Sequence, residues 1–323
     1  MRSNNGLSYV RRSHINSGEP LVYIIIVNYN GRELLRRCLQ SLRKTRYDNY
    51  RVLVIDNGSK DGSVEMVREI FPEVEIIALT KNLGYAKANN FGIVYALKHE
   101  AKYIVLLNND TEILDPLWLY LAVKIMERHE DIGILGFNLI LPNGRSQQYS
   151  DKTKPYEVSE ISFAVAVIRA QVFRKVGYLD TEYVIGYAED TDFCYRVRYH
   201  GFRVVYVPQI KIRHISMATF TRVPSNIVFQ ISARNSFRHF MQNKPLHELF
   251  VWFIMAFIGV KNGRIVVRND VKRLKGITYG FIVYVKEKGF QGLLELVIKR
   301  LRKRLQALLT RQSHYAADDT IGT

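Results

Sequence analysis

Apolar runs alternate with segments of helical period over the first third of the chain. Leu21–Val27 is an unbroken, β-branched stretch, the pattern of a strand buried on both faces. It gives way to the polar turn Asn28-Tyr29-Asn30-Gly31, after which Leu34, Leu35, Cys38, Leu39 and Leu42 recur at helical spacing. Arg51–Asp56 predicts a second strand, closed by Asn57-Gly58-Ser59-Lys60-Asp61-Gly62, and Val64, Val67 and Ile70 mark a short helix. A third strand spans Glu75–Leu79, a helix follows from about Gly84 to His99, and a fourth strand, Tyr103–Leu107, ends on Asn108-Asn109-Asp110. This β-α-β-α-β-α-β order with short connections predicts a parallel sheet with right-handed crossovers. In such sheets ligands bind beyond the carboxyl ends of the strands. The polar residues after strands one, two and four (Asn28 with Asn30, Asp56, Asp110) therefore converge on one edge.

Beyond Asp110 the pattern changes. Asp115-Pro116 opens a helix, with proline suited to the first turn. Then come Ile132–Leu141, a Pro142-Asn143-Gly144 turn, a polar stretch to about Glu160, and a strand over Ser162–Ile168. Gln171–Val176 is a short helix stopped by Gly177. Glu189–His200 is a longer one ended by Gly201, and Arg203–Val207 is a strand. From about Ala233 the chain reads as helical and basic. The expected division is a flexible segment 1–20, an α/β domain 21–240 and a basic amphipathic helical region 241–323.

The chain has 323 residues and a net charge of +17. From Arg238 onward, 16 Lys and Arg stand against six Asp and Glu, so the excess is concentrated in the tail. A basic tail suits an anionic partner. The longest apolar run, Leu249–Val260, falls short of the roughly 20 residues needed to span a bilayer, and Met1–Pro20 lacks the apolar centre of a signal peptide. Cys38 and Cys194 both fall in apolar-periodic stretches, which predicts buried thiols rather than a disulfide framework.

Asp56 and Asp110 can each hold a nucleotide hydroxyl, a base or a hard cation, although either alone could simply cap a helix. No GxxxxGK[ST] or GxGxxG follows the first strand, so a bound diphosphate must be neutralised another way, for which a metal on Asp110 and nearby cationic side chains are the natural means. Glu189, Asp190 and Asp192 crowd a helix start, where negative charge favours the dipole. A carboxylate there could also serve as a base.

Six motifs in order resemble family 2 glycosyltransferases with a GT-A fold, near bacterial rhamnosyltransferase-like members. They are Ile26-Val27-Asn28-Tyr29-Asn30; Val54-Ile55-Asp56-Asn57-Gly58-Ser59 with Asp61-Gly62-Ser63; Asn82-Leu83-Gly84-Tyr85-Ala86; Leu106-Leu107-Asn108-Asn109-Asp110-Thr111; Glu189-Asp190-Thr191-Asp192; and the late His214. The resemblance covers about residues 21–240. It implies an α/β GT-A fold, a Rossmann-like nucleotide-diphospho-sugar transferase with a mixed sheet flanked by helices.

By the same resemblance Val27, Asn28, Asn30, Asp56, Asn82, Gly84, Asn108 and Asn109 are donor nucleotide and sugar residues. Asp110 and His214 hold Mg2+ or Mn2+, Asp190 is the catalytic base, and Phe163, Glu189 and Asp192 lie on the acceptor side. Two departures stand out: Asn108 replaces the first acid of the DxD metal motif, and Phe163 replaces a small residue.

The implied reaction is inverting transfer from a nucleotide-diphosphate sugar, with dTDP-rhamnose favoured and UDP-sugars possible. The acceptor is a glycan, lipid-linked if the tail binds an anionic membrane at the cytoplasmic face. Sugar-phosphate nucleotidyl transfer and nucleic-acid binding are the competing classes. The first lacks its phosphate loop. The second fits poorly with an acidic sheet edge, and no nucleic-acid partner is expected.

Overall fold

A computed structural model describes residues 18–147, 152–183, 188–215, 225–243, 258–261, 264–267 and 283–289, and part of 291–298. The chain divides into two compact units. One comprises Met1–Leu179 with Arg196–Ala218, the other Asp180–Tyr195 with Thr219–Thr323.

The first unit is built on four parallel strands: β1 (Val22–Asn28), β2 (Tyr50–Asp56), β3 (Glu75–Ala78) and β4 (Tyr103–Asn108). Between them run α1 (Arg32–Leu42), α2 (Ser63–Ile70) and α3 (Tyr85–Lys98). Further strands are β5 (Thr111–Ile113), β6 (Ile132–Ile140), β7 (Tyr156–Glu157), β8 (Val165–Arg169) and β9 (Arg203–His214), interspersed with α4 (Trp118–Arg128) and α5 (Ala170–Val176); α6 (Glu189–Tyr199) has its first residues, to Tyr195, in the second unit. The sheet order is β3-β2-β1-β4-β8-β6-β9-β5, with β7 pairing to β9. The β8 strand is antiparallel to β4 and β6, and β5 is antiparallel to β9, so the sheet is mixed.

Burial explains why the apolar runs became central strands. Val22, Ile24 and Ile26 face one way into a core shared with Leu35, Cys38 and Leu39 of α1, Met66 of α2 and Trp118 of α4. Each such side chain contributes about 1.5–3 kcal/mol by leaving water. On the other face α3 lies close to β1 because it carries small residues there. A Cβ on Gly92 would stand 2.5 Å from the Ile25 side chain.

The elements expected from sequence are present, with boundary shifts of a residue or so across the first four strands. Other differences are larger: β8 begins at Val165 rather than Ser162. Strand β9 continues past Val207 to His214, through a register shift against β6. The short strands β5 and β7 appear where none was expected.

In the second unit, α7 (Ser225–Asn243) begins before Ala233. The tail contains an antiparallel pair, β10 (Ile258–Lys261) and β11 (Arg264–Val267), where helix was expected, and helix resumes at residues 283–289. Residues 1–17, most of the apolar run Leu249–Val260 and the cluster Lys299–Arg304 lie outside the described residues. Among the described residues no helix is long and apolar enough to cross a membrane. Both cysteines are buried thiols.

Candidate active site

Parallel register sets the carboxyl edge of the first unit. Asn28 lies beside Asp56 and Val27 beside Asn108. The edge sorts into accessible and buried positions. Val27, Asn30, Gly84 and Asn108 are half-buried and Asn82 is exposed, whereas Asn28, Asp56, Asn109, Asp110 and His214 are buried.

The buried members form a brace. Asn109 Nδ2 donates to Asn28 Oδ1 (2.8 Å), and Asn28 Nδ2 donates to Asp56 Oδ1 (3.0 Å) and Ser59 Oγ (3.3 Å). Asp56 Oδ2 accepts from the Ser59 amide (2.9 Å). Asn30, at φ 48°, accepts from the Lys60 amide through Oδ1 (2.8 Å) and donates its own amide to Ser59 Oγ (2.9 Å). Asn28 and Asp56, expected from sequence to meet the nucleotide, also tie the first, second and fourth strand ends together. Gly31 is required by this brace: a Cβ there would stand 2.4 Å from Asn109 Nδ2.

Asn57, which sequence reasoning passed over in favour of its charged neighbour, links the brace to the loop after β3. Its Nδ2 donates to Asn82 Oδ1 (2.9 Å), and its Oδ1 accepts from the Leu83 amide (2.8 Å). Asn82 Oδ1 also accepts from the Gly84 amide (2.9 Å), and Gly84 sits at φ 84° as α3 begins. Phe163 is buried, and its carbonyl accepts from the Tyr85 hydroxyl (3.0 Å). The next residue, Ala164, takes the Asn108 amide (2.9 Å).

Asp110 and His214 meet across the β5–β9 pairing. The Ile215 amide donates to the Asp110 carbonyl (2.9 Å), and Thr111 is the register partner of His214. His214 Nε2 stands 3.4 Å from Asp110 Oδ1, with both side chains over nine-tenths buried. His214 Nδ1 lies 2.8 Å from Gln147 Oε1, a partner absent from the sequence reading. Among the described residues no cluster of three or more His, Cys, Asp or Glu is positioned to hold a metal.

The remaining candidates, Glu189, Asp190 and Asp192, belong to the second unit at the start of α6. Their environments differ. Asp192 is buried at 1% exposure. Glu189 is buried too, and its Oε2 has no hydrogen-bond partner among the described residues. Burial, and then the charge of Asp190, push its carboxyl up to about 8. Asp190 is half-buried and accepts the Thr191 amide (2.8 Å). Within this unit α7 anchors the preceding segment: Arg234 donates to the Glu182 carbonyl (2.9 Å) and Arg238 pairs with Asp180 (2.9 Å).

Comparison with known proteins follows the same geography. The family model described as glycosyl transferase family 2 matches residues 23–177. An uncharacterized protein of Sinorhizobium fredii, y4gI, is 26% identical over 62% of this chain and 25% of its own length. The O-antigen biosynthesis protein RfbC of Myxococcus xanthus is also 26% identical, over 62% of this chain and 18% of its own length. The chain thus spans a quarter or less of these two relatives. The dTDP-rhamnosyl transferase RfbF of Shigella flexneri is 26% identical over 60% of this chain and 68% of its own.

Among solved structures, GalNAc-T7 with UDP, GalNAc and Mn2+ has a TM-score of 0.57 at 16% identity, over 70% of this chain and 48% of that one. A Pyrobaculum calidifontis mannosyltransferase in complex with GDP-Man and Mn2+ has a TM-score of 0.51 at 17% identity, over 93% and 81%. Staphylococcus aureus TarS 1-349 in complex with UDP gives 0.54 at 20%, over 84% and 92%. These likenesses identify the fold as GT-A.

Proposed function

We propose that this chain, whose residues 23–177 match the family model described as glycosyl transferase family 2, transfers a sugar from a nucleotide-diphosphate donor to an acceptor hydroxyl with inversion. The observation that carries this reading is the convergence of Asp110 and His214 on the carboxyl edge of the sheet. A donor of the dTDP-rhamnose type is favoured by the similarity to RfbF, and UDP-sugars are the next candidates.

The Asp110–His214 pair fits a divalent cation, Mg2+ or Mn2+. A carboxylate oxygen and an imidazole nitrogen are both ordinary donors to such ions, and at 3.4 Å apart Asp110 Oδ1 and His214 Nε2 would be the residues to hold one. With Asn108 in place of an acid, the ion's remaining positions would fall to diphosphate oxygens and water. Bound there, the cation would offset the charge that develops on the leaving diphosphate. Asn82 and Gly84 shape the loop beside the donor, and the Asn109–Asn28–Asp56 brace fixes the strand ends that present it.

Asp190 accepts the proton from the acceptor hydroxyl as that oxygen attacks the anomeric carbon. Environment favours it over its neighbours: Glu189 holds its proton at neutral pH, and Asp192 is buried. The acceptor is a glycan, lipid-linked in the reading where the basic tail rests on an anionic membrane at its cytoplasmic face. The test is nucleoside-diphosphate release and transfer by the wild type and Asp190→Asn. The variant should bind donor as well as wild type and lose catalysis by about 100-fold or more. Retained turnover in the folded variant would move the base elsewhere.

A further inference from the structure

The Pro142-Asn143-Gly144 turn has a use in this structure that its sequence does not disclose. Gly144 sits at φ 77°, and the chain reverses there: the Leu141 amide donates to the Arg145 carbonyl (2.8 Å) and the Gly144 amide to the Leu141 carbonyl (2.9 Å). The returning segment then runs beside β6, with a bridge between Ile140 and Ser146 and a bond from the Gln147 amide to the Leu139 carbonyl (2.7 Å). Because Leu139 and Ile140 are register partners of Ile212 and Arg213, this return delivers Gln147 to the end of β9. There Gln147 Oε1 meets His214 Nδ1 at 2.8 Å.

The other face of the imidazole is what makes this contact informative. Nε2 is 3.4 Å from Asp110 Oδ1, beyond the usual 2.7–3.2 Å of an N–H···O bond, and the two groups are over nine-tenths buried. If Nδ1 carries the proton, Nε2 presents a lone pair toward a carboxylate oxygen. Two such atoms repel unless a cation stands between them. Metal-binding histidines are generally held in one tautomer by the partner of the other ring nitrogen.

We propose that Gln147 is a positioning residue for the donor site: its Oε1 accepts the Nδ1–H of His214 and so aims the Nε2 lone pair at the place a divalent cation shares with Asp110. The inference rests on the metal reading above for its consequence, but not for the tautomer itself.

The experiment has two arms on the full chain. Long-range 1H–15N NMR of the imidazoles, with His214→Gln assigning the signal, reads the tautomer without metal. The wild type should carry the proton on Nδ1, Gln147→Leu should lose that preference, and Gln147→Glu, which keeps an acceptor oxygen, should retain it. Mn2+ titration by EPR in the presence of UDP or dTDP reads the consequence. Gln147→Leu should weaken Mn2+ by about 10- to 100-fold, with Gln147→Glu restoring most of it. An Nε2–H tautomer in the wild type, or Mn2+ affinity unchanged in folded Gln147→Leu, overturns the role of Gln147. If wild type and Asp110→Asn alike fail to bind Mn2+, the metal reading falls, while an Nδ1–H signal dependent on Gln147 still supports the positioning contact.

Discussion

Replacing Glu189 by Gln should flatten the pH dependence of stability. The Glu189 carboxyl is buried beside Asp190 with one oxygen unpartnered, and these surroundings raise its pKa from an ordinary 4.5 to about 8. The folded protein therefore keeps a proton between those values that the unfolded chain releases. By linkage, stability must fall as pH rises through that window. The contribution is fully present below pH 4.5 and is lost as pH climbs toward 8, at about 1.4 kcal/mol per pH unit. Between pH 5.5 and 7.5 that amounts to a few kcal/mol. Glutamine has the shape of the protonated acid and cannot ionise, so its stability curve should lack this slope. Urea denaturation of both proteins at three pH values across the window measures it. A constant offset between the curves would report only the fit of the amide. Parallel curves, with the gap unchanged from pH 5.5 to 7.5, would refute the claim that Glu189 is held neutral.

Other consequences follow from the donor edge. Gly31→Ala would place a Cβ 2.4 Å from Asn109 Nδ2 and 2.9 Å from Asn28 Oδ1. Overpacking of this kind should cost about 1–3 kcal/mol and lower the thermal midpoint, whereas the same substitution at Gly144, where a Cβ would meet no described residue beyond its chain neighbours within 4 Å, is opposed by backbone strain at φ 77°. Asn57→Ala removes the bonds to Asn82 and Leu83. It should cost about 1–3 kcal/mol and raise the donor KM more than it lowers kcat in steady-state assays. Removing the chain beyond Phe240 should abolish flotation with anionic liposomes if the basic tail carries membrane binding; undiminished flotation would remove that role.

How legible this was from sequence depended on the length of each signal. The first and fourth strands were readable because each is a continuous apolar run buried on both faces, the second and third because short apolar stretches sit between turn residues, and the loops at their ends carried the expected polar groups. By contrast, β5 and β7 have three and two residues, too short for any period, and exist because β9 offers them a pairing edge. The expected strand ends at Val207, and Pro208 follows it. The strand survives the proline through a register shift, and Ile210, Ile212 and His214 then alternate inward. In the tail, Asn262-Gly263 between two apolar runs is a hairpin signal that the helical and basic composition masked.

At the site, Asp110 and His214 could be named because their chemistry is distinctive. Gln147 and Asn57 could not. An amide has no charge to betray it, and each acts through a partner that is distant in sequence, 67 residues away for Gln147.

The central claim is that Asp110 holds the diphosphate of a sugar nucleotide through a divalent cation. Its most direct test is the thermal stabilisation of wild type and Asp110→Asn by dTDP-rhamnose and UDP-sugars, with Mn2+ and with chelator. The account predicts that one donor stabilises the wild type in Mn2+, by about 2.7 kcal/mol at a hundredfold excess over Kd, with little effect in chelator or in a folded Asp110→Asn. Equal stabilisation of both proteins with and without Mn2+ would contradict it.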